Sequence, residues 1–338
     1  MARITAVGLL WVALGIGRLV GQDLHYTQFF AAPLVQDPAL SGAFDGDIRL
    51  GSIVREQWRR VPVPYRTFSA FFDNKVSKYR LGPGALAWGA VFQHDKAGDS
   101  KLSWTQLGLR AAYRQPLSED WQLAAGFGID LGQRAFDPVQ LQFADQYNGE
   151  FFDPSMATLE RFDRTAAGFM SFSAGLGAYY QPKDSRARLW AGFSAFHLNE
   201  PAIGFFDGSS IPRPRLFKAY AAGDIPLSDL LDLALWGQAQ LQGAYRETAL
   251  GAGIRYYLDV DKSDAPLALM AGLGYRLGDA LQGFAQARYD RWQLGLSYDV
   301  NTSGFRAATA GRGGPELSIQ YLIFRVHPPE VFKSCPIF

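Results

Sequence analysis

A single cysteine, Cys335, stands in the 338-residue chain. One thiol excludes an intramolecular disulfide and any zinc or iron–sulfur site built on cysteines. Histidine is nearly as scarce: His25, His94, His197 and His327 lie in different segments, none at the spacing of paired metal ligands. His197 falls at a strand end and reads as a satisfied rim or lumen histidine rather than a general base. Basic runs are missing too. The 33 basic and 32 acidic residues leave a net charge of +1, which removes nucleic acid as a partner, because phosphate binding needs a concentrated positive face. No G-x-S-x-G elbow occurs, and glycine pairs such as Gly126/Gly128 and Gly272/Gly274 lack the third glycine of a dinucleotide fingerprint. They read instead as backbone relief on a crowded, curved sheet. With no cofactor, metal or catalytic constellation in view, a non-enzymatic role is expected.

Long apolar runs are confined to the start. Arg3 followed by the apolar run 4–16, with Gly21 as the last small residue, reads as a signal peptide spanning 1–21. No cysteine follows that run, so it is not a lipoprotein signal. Beyond it, nothing approaches the ~18 consecutive apolar residues that a membrane helix needs. What the chain does have is 14% aromatic residues and 36 glycines, a composition that leans towards β-structure. An exported chain of this kind is a soluble β protein or an outer-membrane barrel.

Alternation decides between them. In 291–300, Leu294, Leu296, Tyr298 and Val300 alternate with Gln293, Gly295, Ser297 and Asp299. In 315–324, Leu317, Ile319, Tyr321 and Ile323 form the apolar face, against Ser318 and Gln320. The same period-two pattern recurs over 48–57, 66–75, 84–94, 101–114, 121–131, 165–181, 187–197, 216–224, 232–242, 250–259, 267–276 and 281–290. That makes about 14 strands, an even number, as single-chain outer-membrane barrels have. The polar face carries Gln, Ser, Gly, Asp and Arg, with lysine almost absent from strand centres. This suits a lumen in which charges pair while the apolar face meets lipid. The fold expected is therefore all-β, a transmembrane antiparallel β-barrel over 48–325.

Connections sort by parity. Short ones (78–83, 115–120, 182–186, 226–229, 260–266) alternate with a set holding the longest, 132–164, 198–215 and 301–315. Short turns on the periplasmic rim and long loops outside are the outer-membrane arrangement. The acidic residues of 132–164, among them Asp137, Asp145, Glu150 and Asp153, then read as a solvated outer loop rather than a calcium site. An even strand count places two flanking pieces on the periplasmic rim: an irregular arm, 22–47, and a tail, 326–338, whose prolines forbid a strand. Candidate partner-binding residues are Tyr26, Phe29, Phe30, Pro33 and Pro38 in the arm, with Phe332, Cys335 and Phe338 in the tail. Exposed aromatics of this kind would anchor a docking surface; the other reading is an arm that plugs or caps the barrel mouth.

Specific motifs go further. D-L-H-Y-T-Q-F-F-A-A-P-L-V-Q-D-P-A-L-S-G (23–42), P-Y-R-T-F (64–68), F-Q-H-D-K-A-G-D (92–99), G-F-S-A-F-H-L-N-E-P (192–201) and G-Y-R-L-G-D-A (274–280) resemble the PorP/SprF family. So do G-L-S-Y-D-V-N-T-S (295–303), G-G-P-E-L-S-I-Q-Y (313–321) and the terminal C-P-I-F. Asp37 departs from the asparagine common there, and Ile337 from a frequent arginine. The resemblance implies an outer-membrane barrel of the type IX secretion system, set among outer-membrane lipids. It would assist secretion or surface attachment of adhesin-type cargo, serve gliding in some members, or anchor the machinery through a periplasmic peptidoglycan-binding lipoprotein or another subunit. From another class come two rivals: a diffusion channel or hydrophobic-solute transporter, and a lipid hydrolase with a Ser–His–Asp site.

Overall fold

The computed structural model describes residues 23–57, 65–76, 84–98, 100–160, 162–206, 211–258, 267–304 and 306–325. Fourteen strands run in order around it: β1 (Ile48–Gln57), β2 (Tyr65–Lys75), β3 (Ala85–Ala97), β4 (Leu102–Pro116), β5 (Trp121–Ala135), β6 (Ala166–Tyr180), β7 (Arg188–Phe196), β8 (Leu216–Pro226), β9 (Leu231–Gln242), β10 (Tyr245–Tyr257), β11 (Ala268–Arg276), β12 (Ala280–Tyr289), β13 (Trp292–Asn301) and β14 (Arg312–Ile323). Every pairing is antiparallel, and β14 returns to β1 with Ile48 opposite Ile323 and Arg55 opposite Glu316, closing the barrel. The expected strand count is met. β10 starts at Tyr245, ahead of the alternating run expected from 250, because Glu247 is a lumen-facing charge, 5% exposed, rather than a loop residue.

Closure turns the alternation inside out relative to a soluble protein. On β4, Leu107 and Leu109 are 53% and 58% exposed, whereas Gln106 and Arg110 on either side of them and Gly108 between them are buried. Apolar residues thus form a continuous outer face, which in water would be a large aggregating patch and in a bilayer is the lipid contact. No helix among the described residues is long and apolar enough to cross a membrane; the crossing is made by strands.

Both barrel ends share one rim, where the Asp47 amide donates to the Ile323 carbonyl. We call this the near rim; it carries the four-residue turns 117–120 and 227–230. The far rim carries the longest connections, 136–165 and 197–215, together with 302–311 and some tight hairpins.

The arm ends where β1 begins, as expected, but its place corrects the exposed docking arm. Residues 23–44 lie inside the lumen and run from the far rim back to the near rim. A single α-helical turn (Pro33–Gln36) sits between two 3-10 turns (Phe29–Ala31 and Pro38–Leu40). The chain's buried apolar core is therefore the arm against the inner wall. Tyr26, Ala31, Leu34 and Val35 pack on Ile53, Phe71 and Val91, while Phe29 and Leu40 pack with Tyr220, Trp236, Met270 and Phe284. Leu34 alone, fully buried, contributes about 2 kcal/mol.

Candidate functional site: the occupied lumen and the far rim

The arm is seated at three levels. Nearest the near rim, Asp73 holds both Arg49 (2.8 Å) and the Gly42 amide (2.8 Å), and Arg49 donates on to the Leu40 carbonyl. Lys75 donates to the Phe44 carbonyl, and Phe44 lies under the Arg49 guanidinium at 4.6 Å.

At mid-lumen, wall side chains satisfy the arm's backbone carbonyls. Ser194 donates to Gln36 (2.8 Å), Lys218 to Val35 (3.0 Å) and Arg110 to Leu34 (3.2 Å), with Arg110 itself paired to Asp130. Asp37 caps the second 3-10 turn through the Ala39 amide and accepts the Tyr220 hydroxyl at 3.0 Å. This close fit needs glycine. A Cβ on Gly126 would stand 2.3 Å from the Ala39 nitrogen, and one on Gly175 would meet an Asp37 carboxylate oxygen at 1.8 Å. These wall glycines are the bed of the arm, a more specific role than general relief of a curved sheet.

Towards the far rim the seat is ionic. Glu316 accepts the amides of Thr27 (3.0 Å) and Gln28 (2.7 Å). Arg55 and Arg276 both donate to Asp299, which also accepts the Thr27 hydroxyl. Buried charges of both signs persist here because each is paired and hydrogen-bonded.

The arm's outermost described residue, Asp23, closes the series. It pairs with Arg213 (2.7 Å), with His197 through the ring Nε2 (2.6 Å) and with the Gln242 amide (2.8 Å). Burial by itself would raise the Asp23 carboxyl, but Arg213 and His197 overcome it and hold the group well below the usual carboxylate range. The Arg213 guanidinium carbon also lies over the Trp104 ring, 3.6 Å from its centroid. On its other side the His197 ring meets the Ser171 hydroxyl at Nδ1, 2.7 Å away. Ser171, His197 and Asp23 thus line up as a hydrolase triad would. Ser171 is fully buried in the wall, however, where its hydroxyl is engaged by the His197 ring. Burial depresses the His197 pKa against the pull of Asp23, and the ring bridges the Asp23 carboxylate and the Ser171 hydroxyl through its two nitrogens.

The residues expected at a docking surface divide. Tyr26 and Phe29 are 3% and 4% exposed, Pro33 and Pro38 are buried, and Phe30 is half-buried against Trp236 and Phe284. These five anchor the arm within the lumen and are not an exposed patch; their apolar surface is used by the inner wall. Phe332, Cys335 and Phe338 lie outside the described residues. Of the residues that the sequence reading missed, Glu316, Asp299 and Asp73 carry one legible signal, a charge at lumen-facing parity on a strand; Asp23 and Arg213 lie outside the strands and carry none. Above the barrel, aromatic rings tie the two long far-rim loops together, with Phe136 on Phe205 (4.6 Å) and on Phe162 (4.9 Å). Val139 and Leu159 of the longer loop are each 84% exposed.

Solved outer-membrane barrels share this architecture. The Ralstonia pickettii toluene transporter TbuX aligns with a TM-score of 0.51 at 13% identity, over 87% of this chain and 94% of its own. The P. putida toluene transporter TodX aligns at 0.49 and 14%, over 89% and 95%, and a Pseudomonas aeruginosa FadL homologue at 0.45 and 12%, over 84% and 92%. At such identities the likeness concerns the fold alone. No curated protein matches the sequence. The model of the type IX secretion system membrane protein PorP/SprF matches residues 19–321; the chain belongs to the PorP/SprF family, as an outer-membrane β-barrel of the type IX secretion system.

Proposed function

We propose that this barrel works by protein contact and not by catalysis. In this reading the far-rim loops assist the secretion or surface attachment of adhesin-type cargo. The near rim and the tail reach a periplasmic peptidoglycan-binding lipoprotein or another subunit of the apparatus. The observation that carries the proposal is the filled lumen. An arm hydrogen-bonded to the wall from Asp23 to Phe44 leaves the barrel as a closed scaffold with surfaces at both ends. Transport of an apolar solute, as the name of the toluene transporter TbuX states for that protein, needs a conduit where the arm sits.

Two measurements test this. Deleting the gene should abolish release or surface display of type IX cargo, and the full chain should restore it. The purified barrel in a planar bilayer should be electrically silent. Steady conductance with normal secretion in the deletion strain would overturn the proposal in favour of a channel.

A further inference from the structure

β7 has nine residues beside the fifteen of β6, and the two pair only from Tyr180–Leu189 to Ser173–Phe196. The physical cause lies at the Asp23 seat. His197, the next residue, has a left-handed φ of 57°, and Glu200 one of 44°. This conformation takes the chain out of the sheet so that the His197 ring can turn inwards to Asp23 and Ser171. β8 does not fill the place, since it begins at Leu216 opposite Phe196. The top of β6, residues 166–170, is therefore paired on its β5 side only, from Ala135–Ala166 to Leu131–Met170.

Hydrogen-bond parity identifies the groups facing the gap. The Phe136 amide donates to Thr165, and the Leu198 amide donates to Phe172. Odd-numbered residues of β6 thus bond to β5 and even-numbered ones face the missing strand. Asn199 covers the first of these: its side chain donates to the Met170 carbonyl and accepts from the Phe172 amide. Past Asn199, the Met170 N–H and both backbone groups of Gly168 and Ala166 receive no bond from any described residue. Met170 and its neighbour Leu131, 47% and 60% exposed, are the last pair of large apolar side chains on the outer face here. Above them stand the exposed Gln133 and Gly168, so the open groups of Gly168 and Ala166 lie beyond these large apolar side chains. Natural sheets blunt such edges with charge, proline or a cover; this one carries Ala, Gly and Met. The adjoining loop 136–165 has six acidic residues against two basic ones.

We propose that the free edge of β6 at the far rim docks an extended, basic stretch of another protein by strand addition. This rests on the secretion reading above and names the contact that the cargo would make. The edge supplies alternating N–H and C=O groups, which is the chemistry of an extended backbone, and the acidic loop selects a positive charge on the incoming strand.

The test uses two substitutions at one position. Gly168→Pro removes only the N–H that faces the gap and no hydrogen bond of the barrel. Gly168→Ala keeps that N–H, and its Cβ would meet nothing nearer than the Gly132 carbonyl at 3.8 Å. The probe is a fluorescein-labelled ten-residue peptide of alternating Lys and Val, measured by anisotropy on the full-length barrel in detergent. Wild type and Gly168→Ala should bind it equally, and Gly168→Pro should bind it roughly tenfold more weakly or worse. A twin of alternating Glu and Val should also bind at least about tenfold more weakly. Equal binding by the proline and alanine variants would overturn the proposal. So would wild-type dimers that the proline variant dissolves, with no peptide bound, since the occupant would then be a second copy. In cells, Gly168→Pro should lose most of the cargo secretion that Gly168→Ala restores; normal secretion by the proline variant refutes the cargo assignment. A deletion strain that secretes normally removes the secretion reading itself, and it is scored before either variant.

Discussion

Glu316→Ala is the sharpest perturbation of the occupied lumen. The carboxylate is buried at 2% exposure and accepts two arm amides, those of Thr27 and Gln28, while lying 3.9 Å from Arg55. Alanine would leave two buried N–H groups without acceptors, at about 1–3 kcal/mol each. It would also take one of two carboxylates from Arg55, which keeps Asp299 at 2.9 Å. A local loss of roughly 3 kcal/mol raises the population with residues 23–31 unseated about a hundredfold. The barrel wall itself should hold, because the backbone pairing of β14 with β1 and β13 does not involve the side chain. The variant should therefore stay heat-modifiable on gels yet show intermittent conductance in a planar bilayer. A cysteine at Thr27 in a Cys335→Ser background should react with maleimide faster in the variant than in its parent. A silent barrel with an unreactive Thr27→Cys would refute the view that the arm is a plug held by its wall contacts.

The remaining expectations are simpler. Leu296→Arg and Ile319→Arg, on the lipid face at 58% and 38% exposure, should each cost about 2–4 kcal/mol and reduce the heat-modifiable form on gels. Gln320→Arg should spare the wall but displace the arm, because Gln320 donates to the Ala31 carbonyl; conductance without loss of heat-modifiability would show it. Asp23→Ala should unseat the arm's outer end and leave Arg213 a buried charge without its carboxylate, read as faster proteolysis between His25 and Phe29. An epitope tag at the exposed Asn148 should be labelled on intact cells, and labelling only after permeabilisation would invert the topology. Deleting 331–338 should leave a folded barrel that no longer co-purifies periplasmic partners or secretes cargo; normal secretion would make the tail dispensable.

Much of this fold is written locally. Period two needs only neighbouring residues, so Leu294, Leu296 and Tyr298 against Gln293, Ser297 and Asp299 declare a lipid face and a lumen face without any partner strand. Strand number, the parity of long and short connections, and the boundary between the arm and β1 followed from the sequence for the same reason. The arm's course did not. Gln28 meets Ser318 across 290 residues of sequence, and Asp23 meets His197 across 174; such contacts exist only once the ring has closed. Whether Tyr26 and Phe29 faced a partner or the inner wall was undetermined by their own chemistry, since a buried wall and a docking protein reward the same aromatic surface. The open edge of β6 belongs to the tertiary structure as well. Its residues alternate like those of every other strand, and they are left unpaired only because His197 turns inwards, five residues before the end of β6, to meet a carboxylate on the arm.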